Sequence, residues 1–455
     1  MRTCFYLVLL ALTGCAMGPQ PAPPSTLVSP AQWRTPAVAG APVERDWWRT
    51  FGDPVLDQLV RQAEERNGDV RVARSRLQEY QARVRIASSA QLPSLNASIG
   101  PGRARVIGPF GTPVDGTSIA GQVEASYELD LYGRLRSLTT AARFDLQSQQ
   151  ALEAATMLAV AANTASGYLN LRSLDAQLDL ARATLIARQR SFDLARRQFE
   201  VGYSSRLDQA QAEAELHTTA AVVPQLERAI AQQENALAVL TGASPGPVAR
   251  GTALLDLRPP TIGAGLPSEL LRRRPDIAQA EATLAALDAS LAAARDQLLP
   301  AVQLSASLGV EAGGLGMLLH APNKLWSIGG SILAPVFDGD RLRFQAEIAG
   351  TVRDRAVFAY ETVVRTAFAE TDNALNAVRT LGNQVAEAQA RQVASAEVLR
   401  IAHNRYANGY ASYLEELDAQ RNAFAAENNV LQLRANLLAA HVDLYRALGG
   451  GWRAG

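Results

Sequence analysis

Hydrophobic residues recur along this chain at two spacings, and the switches between them mark its elements. From Leu56 through Leu59, Val60 and Ala63 apolar positions return every three or four residues, one face of a helix whose pattern runs to about Gln91. Asp53 is placed to cap its start, with Pro54 at the first helical position. Pro93 stops the pattern, and the spacing drops to two. Leu95, Ala97 and Ile99 alternate with Asn96, Ser98 and Gly100, and a second alternating run extends from Ile119 to Leu129. A Gly/Pro-rich loop of about 15 residues is predicted between these two strands. From Arg136 to about Val201 there is no proline and little glycine, so one helix of roughly 100 Å is expected. The chain then returns through 206–240, where Pro224 kinks the helix without ending it.

The same order occurs twice. Val302 to Val310 and Trp326 to Ile332 alternate as two more strands, and 341–408 and 412–448 repeat the long helix and its return. Gly202, Tyr203, Ser205 and Leu207 match Gly409, Tyr410, Ser412 and Leu414 at an offset of 207 residues. That register also places Asp69 on Asp276, Pro93 on Pro300 and Arg134-Leu135-Arg136 on Arg341-Leu342-Arg343, the mark of an internal duplication. Each hairpin closes in a turn of two or three residues. Gly409 ends one helix in the left-handed conformation, and Ser412 caps the next with Glu415 reaching back as a capping box.

These patterns divide the chain into a signal peptide at 1–14, a tether at 15–45, a first repeat at 46–241, a linker at 242–266, a second repeat at 267–448 and a tail at 449–455. Strands fall at about 93–132 and about 300–338. The fold class is mixed α+β. Alanine-rich long helices pack side by side as coiled-coil neighbours, and the linker wraps them near mid-length. Four strands, apolar on one face and polar on the other, fit either a half-buried soluble sheet or the wall of an outer-membrane barrel. Four cannot close a barrel, and open edges in lipid leave backbone groups unpaired at several kcal/mol each. In a membrane, several chains must share one barrel.

Composition adds mostly exclusions. The formal net charge is zero, which gives no reason to expect nucleic acid. Both cysteines, Cys4 and Cys15, lie within the first fifteen residues, and the four histidines are scattered without metal-ligand spacing. No nucleophile, base and oxyanion arrangement is visible, so an enzyme is not expected. The leader MRTCFYLVLLALTG carries one early arginine and a short apolar run, a signal peptide and not a membrane span. It ends in Leu12-Thr13-Gly14-Cys15, which resembles a bacterial lipobox; the alternative is an ordinary secretory signal with an incidental cysteine. On the lipobox reading Cys15 carries a covalent lipid, the one non-protein group expected, and Ala16 after it directs the protein to the outer membrane. Residues 16–42, rich in proline and alanine, suit an extended tether. Trp47 and Trp48 read as packing or docking groups. Arg272 to Arg274, just before a helix start at Pro275, are expected to pair with acids of a neighbouring helix.

The stretches WWRTFGDPVL, LLRRRPDIAQAEATL, QLLPAVQLSASLG and NGYASYLEELDAQ, taken with the lipobox, resemble the TolC-like outer-membrane efflux proteins, and within them the lipoprotein (NodT/OprM-like) branch. The resemblance covers essentially the whole chain. It implies a homotrimer with a twelve-stranded outer-membrane barrel and a twelve-helix periplasmic tunnel. It further implies a passive duct for small molecules, fed by an inner-membrane transporter of the resistance-nodulation-division type through a periplasmic adaptor. Asp418 matches the family's aperture aspartate and Glu415 sits where some members place a second acid, which would make a ring of carboxylates around the trimer axis. The tips, Gly202, Tyr203, Ser204 and Ser205 with Gly409, Tyr410, Ala411 and Ser412, are the expected adaptor contacts, although glycine and serine there also meet the turn's own needs. A reading of another class is a periplasmic coiled-coil lipoprotein that bridges membrane and wall without a pore.

Overall fold

The computed structural model describes residues 27, 29–35, 40, 43–258, 260, 262–320 and 322–453. The leader, Cys15 and most of the tether lie outside these residues. The described chain runs through helices α1 (Pro54–Arg66) and α2 (Gly68–Ser89), strands β1 (Ser94–Ile107) and β2 (Pro113–Leu129), and helices α3 (Arg134–Glu200) and α4 (Arg206–Leu240). The second half follows with α5 (Pro267–Arg273), α6 (Pro275–Asp296), β3 (Ala301–Ala312), a short α7 (Leu315–His320), β4 (Asn323–Leu333), α8 (Arg341–Ala407) and α9 (Tyr413–Ala447). The two long hairpins begin 207 residues apart, Arg134 against Arg341 and Arg206 against Tyr413. Local sequence repeats, and so does local structure.

Compact units do not follow the repeats. One unit takes 78–148 and 280–361, and the other takes 28–77, 149–279 and 362–455, so each draws on both halves of the chain. The first unit holds an antiparallel sheet in the order β1-β2-β3-β4. Its register places residues of like character in rows. One face carries Leu95–Ala125–Ala306–Ile328 and Ala97–Val123–Leu308–Trp326. The opposite face carries Ser94–Ser126–Ser305–Gly329 and Asn96–Glu124–Ser307–Ser327. Cross-strand hydroxyl pairs tie the polar rows, Ser94 with Ser126 at 2.7 Å and Ser307 with Ser327 at 2.8 Å.

Two expectations about this half change. The predicted loop of about 15 residues is mostly strand, because pairing continues from Gly100↔Ala120 to Ile107↔Pro113 and leaves a short turn with Gly111 at φ 76°. Among the described residues β1 has a single neighbour, so the missing N–H of Pro101 costs no second ladder. The helix predicted from Leu56 to about Gln91 is two helices. Asn67 breaks it, in an extended conformation, accepting from Asp69 N at 2.8 Å and Val70 N at 3.3 Å while its amide donates to Leu240 O at 2.9 Å.

In the second unit a buried acid ties the linker to the first hairpin. Asp53 is 3% exposed and accepts from Val55 N (2.8 Å), Leu56 N (3.3 Å), Tyr168 Oη (2.8 Å) and Thr252 N (2.9 Å). It therefore caps α1 and fastens the linker to α3 with one side chain. Gly251 lies so close to this carboxylate that an added Cβ would collide with it. Trp47 and Trp48 are buried, and Trp47 stacks on Tyr445 of α9 at 4.9 Å, so they are packing groups. Arg274, nearly buried, pairs with Asp276 at 2.5 Å and with Glu370 of α8 at 2.8 Å, whereas Arg273 pairs with Glu269 inside α5. α4 continues unbroken through Pro224.

Candidate functional site at the hairpin ends

Each hairpin turns through five residues, 201–205 and 408–412, longer than the two or three expected. The extra length closes the helix ends. At the first tip Gly202 has φ 77° and Tyr203 N donates to Gln198 O at 2.8 Å; at the second Gly409 has φ 77° and Tyr410 N donates to Arg405 O at 2.8 Å. Both are left-handed caps that only glycine takes without strain. They leave Tyr203 and Tyr410 87% and 79% exposed, in equivalent places. Ser204 and Ala411 are half-buried beside them.

The caps of the returning helices differ between the halves. Ser205 and Asp208 form a reciprocal capping box, with Asp208 N donating to Ser205 Oγ at 3.2 Å and Ser205 N to Asp208 Oδ2 at 3.0 Å. The box predicted at Ser412 and Glu415 is absent, since the Ser412 side chain makes no cap bond. Glu415 is drawn across the turn instead, to Arg405 Nε at 3.1 Å. A charge-assisted contact outweighs a neutral backbone donor at this position.

Asp418 is exposed and accepts only from Asn422 Nδ2, at 3.1 Å, among the bonds of the described residues. Glu415 is also exposed, and the two acids flank buried Glu416 and Leu417. Behind them the four hairpin helices meet in a small core of Ala195, Ala212, Tyr406, Tyr413 and Leu417. Tyr406 and Tyr413 meet edge to face at 5.5 Å, and Tyr406 Oη donates to Gln198 Oε1 at 2.7 Å. Burial is the main cause that pushes both phenols up to about 12.

A charged layer lies next to this core and was not anticipated from the sequence. Arg188 of α3 is 3% exposed and lies 3.4 Å from Glu215 of α4, which is 7% exposed and also receives Arg421 of α9 at 2.7 Å. Burial depresses the pKa of Arg188, and the Glu215 carboxylate opposes that shift. Glu416, 1% exposed, accepts from His403 Nδ1 at 2.9 Å and Gln420 Nε2 at 2.8 Å. The available signal was Glu416 itself, an acid on the helical stripe Tyr413, Leu417, Gln420, Ala423 that the pattern otherwise buries.

Comparison with known proteins decides what this architecture is. The profile of the family described as outer membrane efflux protein matches residues 59–243 and again residues 266–450. The chain belongs to the outer membrane efflux protein family. The two matched stretches carry the same internal offset as the hairpins. The toluene efflux pump outer membrane protein TtgF of Pseudomonas putida is 34% identical over 470 residues, spanning 99% of this chain and 98% of that protein. The pyoverdine export outer membrane protein OpmQ of Pseudomonas aeruginosa is 33% identical over 451 residues, spanning 96% and 95%. Among solved structures, the open state of the MtrE outer membrane channel of Neisseria gonorrhoeae superposes with a TM-score of 0.86 at 31% identity, covering 96% of this chain and 98% of that one. This efflux protein therefore has the family's fold, long helical hairpins joined to strands of a membrane barrel, and works as the outer-membrane channel of an efflux system. The family is one of ducts and not of enzymes. Among the described residues no helix is long and apolar enough to cross a membrane.

Proposed function

We propose that three copies of this chain close one barrel in the outer membrane and that the hairpins of all three enclose a periplasmic passage for small molecules. The observation that carries this is the sheet. Among the described residues β1 and β4 each have one neighbour, while one face carries exposed Leu95, Ile99, Trp326, Ile328 and Ile332. An apolar face suits lipid, and open edges in lipid cost several kcal/mol per unpaired group. Three sets of four antiparallel strands remove both edges, an even-numbered closure ordinary for outer-membrane barrels. A wall-bridging lipoprotein without a pore would leave that face uncovered.

In this reading the tips, with Tyr203 and Tyr410 exposed at their ends, meet a periplasmic adaptor that couples the duct to an inner-membrane transporter of the resistance-nodulation-division type. Asp418, with Glu415 beside it, lines the periplasmic mouth, so that one acid of each kind per chain forms a ring that attracts cations. Asp418 suits the role better because Glu415 is tied to Arg405. Cys15 carries a covalent lipid that aids sorting, while the barrel supplies the burial in the membrane. The experiment is bilayer conductance of the purified trimer with a trivalent cation added on the periplasmic side. Block of the parent and loss of block in Asp418→Ala is the expected result, and equal block in both removes the aperture assignment. Heat-modifiable migration reports the trimer independently. Mass spectrometry of the mature N-terminus is expected to find acylated Cys15, and a free thiol there would overturn the anchor.

A further inference from the structure

Charge is divided between the two faces of the sheet. The register places Arg103 and Arg105 of β1 and Lys324 of β4 on the face that carries Leu95, Val123, Leu308 and Trp326. Glu124 and Glu128 of β2 and Glu311 of β3 fall on the opposite face. Of the acids in the described strands only Asp115 shares the face of the cations, opposite Arg105 at 3.9 Å. That pair is 70% and 56% exposed, so it neutralises little, and the apolar face keeps a positive excess. Lys324 and Arg103 are exposed as well.

The cations also gather at one end of that face. Helices join the sheet at the end marked by Ser94, Leu129, Ala301 and Leu333, while the other end holds the 108–112 turn and α7. On β2 the face is uncharged from Leu129 to Ile119, roughly 34 Å along the strand at about 3.4 Å per residue. Tilted as barrel strands tilt, that run is roughly 25 Å tall, the height of the lipid-facing band of an outer-membrane barrel. Lys324 stands in the row of Ile99, Gly121 and Val310, and Arg103 and Arg105 lie beyond Ile119. Trp326, 74% exposed, is one row inside Lys324, where an aromatic girdle belongs. Cations on a lipid face are costly at the midplane and tolerated at the interface, where their long stems lie on apolar surface and their heads reach the polar layer.

We propose that the end of the sheet away from the helices binds the phosphate groups of an anionic lipid in the outer leaflet, through Arg103, Arg105 and Lys324. The site rests on the three-copy barrel. Within one copy β1 and β4 stand three strand spacings apart, about 14 Å. Closure sets β4 of one copy beside β1 of the next, so Lys324 joins the arginine pair of its neighbour along a seam, and the barrel has three such seams. Arginine holds phosphate oxygens in a two-pronged contact and lysine adds a compact charge. The apolar surface continuing from Lys324 to Trp326 and Ile328 receives acyl chains, which neither free phosphate nor a soluble acidic protein provides.

Lys324 is the only lysine in the sequence, so acetylation of side-chain amines followed by mass spectrometry reads this one residue. The full-length protein is placed in phosphatidylcholine nanodiscs alone, with lipid A, or with dephosphorylated lipid A. Lipid A is expected to slow acetylation of Lys324 at least ~5-fold, and its dephosphorylated form to leave the rate nearly unchanged. Arg103→Gln with Arg105→Gln should raise the lipid A fraction that gives half protection about 5-fold for each cation removed. Asp115→Asn should lower that fraction, because it removes the one acid on the face, and it decides the matter if the double variant fails to assemble. Equal rates with and without lipid A, equal protection by the dephosphorylated lipid, protection by inorganic phosphate alone, or an unchanged midpoint in an assembled variant would overturn the lipid site. Heat-modifiable migration is read on every sample. A parent that forms no trimer removes the barrel and this site with it, whereas a trimer without protection removes the lipid site alone.

Discussion

Glu215 offers the sharpest test of how the tip is held together. Glu215→Gln keeps the shape of the side chain and removes its charge, leaving Arg188, 3% exposed, without its paired carboxylate. Breaking a buried pair from one side costs about 3–5 kcal/mol, because the remaining charge is desolvated and uncompensated. Arg421 touches the same carboxylate at 2.7 Å, yet its side chain is 59% exposed and regains water when the contact is lost. Arg421→Ala is therefore expected to cost no more than about 1 kcal/mol. The contrast follows from burial and not from distance, since the shorter contact is the weaker one in this comparison. Hydrogen exchange read by mass spectrometry on peptides from the ends of α4 and α9 measures the local opening equilibrium directly. Glu215→Gln should raise opening there by roughly two to three and a half powers of ten, and Arg421→Ala by less than about one. Equal changes in the two variants, or an effect of Glu215→Gln below about 1 kcal/mol, would refute the assignment of Arg188 as a charge that needs its partner.

Two further outcomes follow from the tips. Ser205→Ala should destabilise the start of α4 by about 1 kcal/mol, while Ser412→Ala should leave α9 nearly unchanged, because only Ser205 makes a cap bond; equal exchange at both helix starts would contradict this. Tyr406 and Tyr413 are held up to about 12, above their ordinary value of 10.0. The unfolded chain then loses protons first, so stability is fully present below pH 10, falls as pH rises from about 10 toward 12, and levels off above that. Difference absorbance of tyrosinate during alkaline titration checks it, and ionisation of both phenols near their ordinary value in folded protein would contradict it.

Much of this fold is local, and local features are legible in a sequence. The period of two from Leu95 and from Val302, the proline-free run after Arg136 and the glycines at 202 and 409 act through neighbouring backbone, so they appear in the chain as written and in the structure at the same residues. The duplication was visible for the same reason, since an offset of 207 preserves every such local choice. What tertiary structure decided is partnership. Glu415 had a cap to serve nearby and took Arg405 across the turn instead, and Asn67 ended one helix and began another with its amide held by Leu240. Arg421 and Glu215 stand 206 residues apart in sequence and 2.7 Å apart in space. Periodicity places a side chain on a face, but it cannot say which element covers that face. The energy of a buried charge depends on that covering element, and so the layer of Arg188, Glu215 and Glu416 emerged only when four helices were brought together.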